Sequence, residues 1–238
     1  MTKAINVMVM DTEYQTNNRY IINDLLEALS THDDVARAEL VDYMSIHQTI
    51  CEGIFDAAIF VGSAANVSWI VTILREKGIA SIFWSTEDPY ELDNNLRYEA
   101  LFDAIFTNDL SSLPAYKNKA EHLPLAGSPN RFYLEPKEGS QLQQDLFFVG
   151  TAWPNRVDAI NRLSGELPPN LKFKLALPSN PYIPKPNLDK STYIYDWRCS
   201  PNSFARLANR SRIVLTIGRT FSTRGLSEGS TPPHGFSK

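Results

Sequence analysis

Short apolar runs alternate along the first half of the chain with segments whose apolar residues recur at three- and four-residue spacing. Residues 4–10 read as a buried strand. Arg19–Ser30 places Tyr20, Ile21, Leu25, Leu26 and Leu29 on one helical face. Val35–Val41 is a second strand and Ile46–Glu52 a short helix. Asp56–Val61 is a third strand, ended by Gly62-Ser63. Val67–Lys77 is an amphipathic helix with Gly78 at its C-terminal stop. Ile79–Trp84 is a fourth strand, and Asp103–Thr107 a fifth with a turn at Asn108-Asp109. His122–Leu125 closes the series. Strands separated by helices imply βαβ units and a parallel sheet, and near-continuous apolar strands fit a sheet covered on both faces. Residues 1–135 are therefore expected to form one doubly wound, Rossmann-like domain. The first turn reads Asp11-Thr12-Glu13-Tyr14, so the glycine fingerprint of dinucleotide binders is absent.

The polar stretch Leu134–Gln144 contains Pro136 and Gly139 and reads as a linker, placed at 136–144. A second series follows. It comprises strand Asp145–Val149 ending in Gly150-Thr151, helix Asn155–Leu163, strand Lys172–Leu177, a four-proline loop at Pro178–Pro186, strand Tyr193–Tyr195, helix Pro201–Asn209 and strand Arg212–Ile217. The expected fold class is α/β with two Rossmann-like parallel-sheet domains. The second, at 145–217, is incomplete, because a full nucleotide-binding sheet has about six strands. Residues 218–238, rich in Gly, Ser, Thr and Pro, are expected to be a flexible tail.

Composition narrows the class. Of 238 residues, 43% are hydrophobic and 21% charged, which fits a globular chain. Two cysteines exclude a disulfide scaffold and fit a reducing, cytoplasmic setting. No apolar run reaches the roughly 20 residues of a membrane span, and the N-terminal run meets Asp11 too early for a signal peptide. The net charge of −4 hides an asymmetry: residues 1–140 carry −11 and residues 141–238 carry +7. Either both surfaces are simply solvated, or the second half meets an anion such as a nucleotide. Nucleic acid fits poorly, because no dense Lys/Arg run with interleaved aromatics is present.

Ligands in open α/β sheets bind beyond the carboxyl ends of the strands. Thr86-Glu87-Asp88-Pro89 is the most polar of these ends. Glu87 and Asp88 suit a general base, sugar-hydroxyl contacts or a cation, or else they sit at a helix start, where acids favour the positive helix end. Adjacent side chains on an extended chain point apart, which weakens the metal reading. Asp11, a lone acid at the first strand end, is a further base candidate. Gly150-Thr151 with Arg156 is the best phosphate candidate: glycine lets a backbone approach closely, a helix follows, and the guanidinium offers a fork of donors. A plain strand-to-helix turn is the competing explanation. Ser230 and Thr231, in Gly229–Pro233, offer hydroxyls to an anion. The four histidines lack metal spacing, no metal is expected, and Cys51 and Cys199 read as structural.

Four of these segments together resemble a known family. Phe83–Pro89, Phe102–Asp109, Leu123–Ala126 and Asp145–Thr151 with Arg156 are similar, in order and spacing, to the CgeB-like spore maturation proteins. That family is itself similar to glycosyltransferases of the two-Rossmann GT-B type. The resemblance runs from about residue 5 to residue 233. It implies a cleft between two domains, with the acceptor (a glycan or other bacterial molecule) on the N-terminal side and a nucleotide-sugar on the C-terminal side. It implies no metal and no cofactor beyond that co-substrate. It assigns Gly150, Thr151 and Arg156 to the donor phosphates, and it likens Ser230–Pro233 to the stretch preceding an Arg-x-Phe-Glu segment. Here His234-Gly235-Phe236-Ser237-Lys238 follows instead, so the expectation is a truncated member with an incomplete donor side. Two functions follow. One is a glycosyltransferase-like protein. The other is a non-catalytic binding or interaction protein built on the N-terminal domain. A receiver domain is disfavoured, because the third strand ends in Gly62-Ser63 rather than an aspartate and Asn108-Asp109 supplies no lysine.

Overall fold

The computed structural model describes residues 4–12, 18–62, 67–117, 120–133, 142–178, 192–195 and 199–218. The chain divides into two compact units, with the boundary between Gly127 and Ser128. That lies ahead of the linker expected at 136–144; residues 134–141 fall outside the described set.

The first unit is a six-stranded, all-parallel sheet ordered β2-β1-β3-β4-β5-β6. Its strands are β1 (Ile5–Asp11), β2 (Val35–Leu40), β3 (Ala57–Gly62), β4 (Ala80–Ser85), β5 (Ala104–Thr107) and β6 (Ala120–His122). Helices α1 (Asn18–Ser30), α2 (Ile46–Cys51), α3 (Ser68–Glu76) and α4 (Leu92–Leu96) connect them, with a 3₁₀ segment at Leu110–Ala115. The two-residue alternation of a strand sends each side chain to one of two cores. Met8 and Met10 pack with Phe60, Phe83 and Ile105 against Ile46, Ile50, Ile70 and Leu74 of α2 and α3. Val7 and Val9 pack with Val61 and Trp84 against Ile21, Ile22, Leu25 and Leu29 of α1. Helices on both faces are what keep β1 and β3 buried almost throughout.

Aspartates close the amino ends of several strands. Asp56 Oδ2 accepts from the Asn6 amide at 2.8 Å, Asp103 Oδ2 accepts from Ser81 N and Oγ at 2.8 and 2.9 Å, and Asp145 Oδ2 accepts from the Lys172 amide at 3.0 Å. Each satisfies an amide where the ladder begins. Asp103→Ala is expected to cost about 1–3 kcal/mol, the penalty for leaving the buried Ser81 donors unsatisfied, and Asp103→Asn less. Urea unfolding midpoints will test this.

The sixth strand ends at His122, not Leu125. Leu123 N still donates to Thr107 O at 2.9 Å, but Pro124 has no amide to continue the ladder.

The second unit holds a four-stranded parallel sheet ordered β10-β7-β8-β9. Its elements are β7 (Gln144–Val149), α5 (Pro154–Glu166), β8 (Phe173–Ala176), β9 (Thr192–Tyr195), α6 (Pro201–Asn209) and β10 (Ser211–Val214). Phe148 and Leu175 face Ile160 of α5, while Phe147 and Ala176 face Leu207 of α6. Strand β10 is shorter than the expected 212–217. Beyond Leu215 the carbonyls turn away: Ile217 O accepts from Arg156 Nε and Gly218 O from Asn155 Nδ2. Both units are thus α/β, each an independent Rossmann-like parallel sheet. Among the described residues no helix is long and apolar enough to cross a membrane.

Candidate functional site

In the first unit the strand order reverses at β1, which pairs with β2 on one side and β3 on the other. A crevice at such a reversal is where open α/β sheets take ligands. Asp11 and Thr12 end β1 there, and Gly62 ends β3 with φ 122°. Thr12 fastens the junction, donating from both N and Oγ1 to Val61 O at 3.1 and 3.0 Å. Asp11 is partly exposed. Ser63 and Ala64, which follow β3, lie outside the described residues.

The end of β4 carries the Thr86-Glu87-Asp88 segment, and here the two acids part company. Asp88 is 2% exposed. Its Oδ1 accepts from Asn95 Nδ2 at 2.9 Å, and its Oδ2 accepts from Thr107 Oγ1 and Tyr116 Oη, both at 2.7 Å. Asn95 Nδ2 also donates to Ser85 Oγ at 3.0 Å, and Asn108 Nδ2 donates to the Asp88 carbonyl at 3.3 Å. Burial pushes the Asp88 carboxyl above the usual carboxylate range, outweighing the opposing hydrogen bonds from Thr107, Tyr116 and Asn95. Burial, then the Asp88 charge, raises the Tyr116 phenol too, so Tyr116 remains a donor. Every partner of Asp88 is a neutral hydroxyl or amide. This carboxylate ties the ends of β4 and β5 to α4 and to Tyr116, and its lone pairs face those donors rather than a substrate proton. Glu87, one residue earlier, is only half-buried. Thr86 Oγ1 donates to Asn18 Oδ1 at 3.1 Å, linking the same strand end to the start of α1.

Asp11 and the Glu87-Asp88 pair do not form one carboxylate cluster. Strand β3 lies between β1 and β4, which places the two strand ends about 10 Å apart at the ordinary strand spacing.

The second unit presents Gly150 and Thr151 at the end of β7, followed by α5. Arg156 is 6% exposed. Its Nε donates to Ile217 O at 2.8 Å and its Nη1 to Thr151 O at 3.2 Å, while Cζ lies 5.9 Å from the Phe148 ring centre. A Cβ on Gly150 would stand 3.0 Å from Arg156 Nη1 and 3.2 Å from Phe148 Cζ, so glycine is required to admit the guanidinium. Arg156 thus lies at the Gly150–Thr151 loop, where it clamps main-chain carbonyls. Ser230 and Thr231 lie outside the described residues.

The sequence reading missed Ser85, Asn95, Thr107 and Tyr116. One signal was present: the apolar strands β4 and β5 both end on a hydroxyl residue, and Ser85 and Thr107 are paired in register. Among the described residues no group of three His, Cys, Asp or Glu side chains is placed to hold a metal. The chain matches no protein-family model, and no curated protein is similar to it in sequence.

Proposed function

We propose that the chain is a glycosyltransferase-like protein of the two-Rossmann type, akin to the CgeB-like proteins, that binds a nucleotide-sugar in the cytoplasm for transfer to a glycan or other acceptor. The observation that supports this is the succession of two separate all-parallel α/β units, each ending its strands in polar loops. The charge difference between the halves agrees with an anionic donor on the second. In this reading the Gly150–Thr151 loop meets the donor diphosphate through the Thr151 amide, the Gly150 amide being committed to Ala176 O at 3.0 Å, and Arg156 holds that loop. On the first unit Glu87 and Asp11, the less buried acids, are the base candidates for the acceptor hydroxyl. Asp88 supports the strand end that carries Glu87.

A second reading, a non-catalytic binding protein built on the first unit, is favoured by the commitment of Asp88 and Arg156 to internal hydrogen bonds. Calorimetric titration of the full chain with UDP and with GDP tests the first reading. One saturable binding event with either nucleotide is expected. A folded sample giving no heat with both would reject donor binding. Binding without release of nucleoside diphosphate from any nucleotide-sugar would favour the second reading.

A further inference from the structure

The buried Asp88 carboxylate takes its hydrogen bonds from neutral groups alone, so among the described residues no cation offsets its charge. Burying a charge without a counter-ion is costly, and protonation relieves that cost. The neighbouring Thr107 hydroxyl is placed to respond. Thr107 Oγ1 lies 2.7 Å from Asp88 Oδ2 on one side and 3.5 Å from Asp109 O on the other, and it accepts from Asp109 N at 3.2 Å. A hydroxyl has one proton to donate, so it can serve only one of those two oxygens at a time. Asp109 anchors the start of the 3₁₀ segment at Leu110–Ala115: its carbonyl accepts from Ser112 N at 3.1 Å, and its Oδ2 accepts from Ser111 and Ser112 Oγ, both at 2.6 Å. The segment leads into Tyr116, whose hydroxyl returns to Asp88 Oδ2.

We propose that Asp88 and Thr107 form a proton-operated latch on this 3₁₀ segment. When Asp88 Oδ2 takes a proton from solvent, it donates to Thr107 Oγ1. The Thr107 hydroxyl then turns to donate to Asp109 O and ties the end of β5 to the segment. When Asp88 returns the proton to solvent, Thr107 donates to the carboxylate instead, and Asp109 O loses this tie. Asn95 and Tyr116 donate to Asp88 in both states, so Thr107 alone changes partner. Burial raises the proton affinity of Asp88, so the segment is tightened at low pH and loosened as pH rises through the raised Asp88 value. The other charged or titratable groups on the elements around it are Glu87 beside it, Asp93 and Arg97 in and just after α4, Glu99 with Lys117 at 3.8 Å, Asp109, and His122, which pairs in register with Thr107 on β6. None of these side chains bonds to the Asp88 carboxylate. The latch belongs to the fold of the first unit and does not rest on the glycosyl-transfer reading.

The test is amide hydrogen exchange, followed by NMR on the full chain across a pH series. Intrinsic exchange rates are divided out, and the β1 amides of Met8, Val9 and Met10 serve as the reference for global opening. Protection of the Ser112 and Tyr116 amides, which bond to Asp109 O and Leu113 O, should fall relative to that reference as Asp88 ionises. The expected fall is about twofold to tenfold, the worth of one neutral hydrogen bond. Asp88→Asn, which cannot titrate, and Thr107→Val, which lacks the hydroxyl, should each show relative protection that does not vary with pH. Asp88→Asn carries the test by itself should Thr107→Val fail to fold. Relative protection that stays flat or rises with pH in the wild type would overturn the proposal. So would a slope retained in Asp88→Asn, the result if His122, Glu99 or Asp109 were the titrating group, or a slope retained in folded Thr107→Val.

Discussion

Asp88→Ala is expected to lower the stability of the first unit by about 3 kcal/mol, whereas Asp88→Asn should change it by less than about 1 kcal/mol. The alanine variant strands three buried donors at once: Asn95 Nδ2, Thr107 Oγ1 and Tyr116 Oη. Each unsatisfied donor costs about 1–3 kcal/mol, part of which is recovered because a desolvated carboxylate is no longer buried. Asparagine keeps an acceptor for Asn95, and its amide can donate to hydroxyls that rotate to accept. The sign of the pH dependence separates the two roles of the acid. The folded-state pKa of Asp88 lies above its unfolded value, chiefly through burial. Its contribution to stability is therefore full below the ordinary aspartate pKa and is lost as pH rises through the raised folded value. Wild type should gain stability relative to Asp88→Asn as pH is lowered across that window, and lose it as pH is raised. Urea midpoints for both proteins across a pH series provide the measurement. An opposite slope would mean that the carboxylate is held charged by something the surrounding hydroxyls and amides do not supply.

The contrast between Glu87 and Asp88 shows what could be read from the chain and what could not. The strands were legible because buried parallel strands are apolar on both faces; β1, β3, β4 and β5 fall within a residue or so of their expected bounds. The sequence placed two adjacent acids just beyond the end of β4, in what the structure shows to be a bend and turn where one of them is buried. It could not say which, because that depends on Tyr116, 28 positions away, reaching the same carboxylate across β5. The 3₁₀ segment at Leu110–Ala115 that leads to Tyr116 carries a proline and no periodic apolar pattern, and α4 spans only five residues. Elements that short leave no repeat to detect. The cysteines show the same limit. A helical pattern places Cys51 on α2, but only the packing of Ile46 and Ile50 reveals that its thiol faces out.

Arg156 offers the sharpest division between a ligand residue and a structural one. Its guanidinium holds Ile217 O and Thr151 O and sits against Phe148 in space kept open by Gly150. Arg156→Ala would leave both carbonyls without this donor and create a cavity beside Phe148. A loss of about 3 kcal/mol in the second unit is expected. Arg156→Lys keeps the charge, but one ammonium cannot reproduce the planar fork that reaches two carbonyls from different segments, so a loss of about 1–2 kcal/mol is expected. Gly150→Ala should fall in the same range, because its Cβ would drive into a guanidinium pinned at both nitrogens. Thermal unfolding and nucleotide titration, run on the same samples, separate the roles. A clamp lowers the melting temperature in all three variants, and weakens nucleotide binding only as far as the loop it holds is loosened. A phosphate ligand would instead leave the melting temperature of Arg156→Lys unchanged while reducing nucleotide affinity. The two internal bonds make the first result the expected one. The contribution of this arginine to any anion site then runs through the position of the Thr151 amide rather than through its own charge.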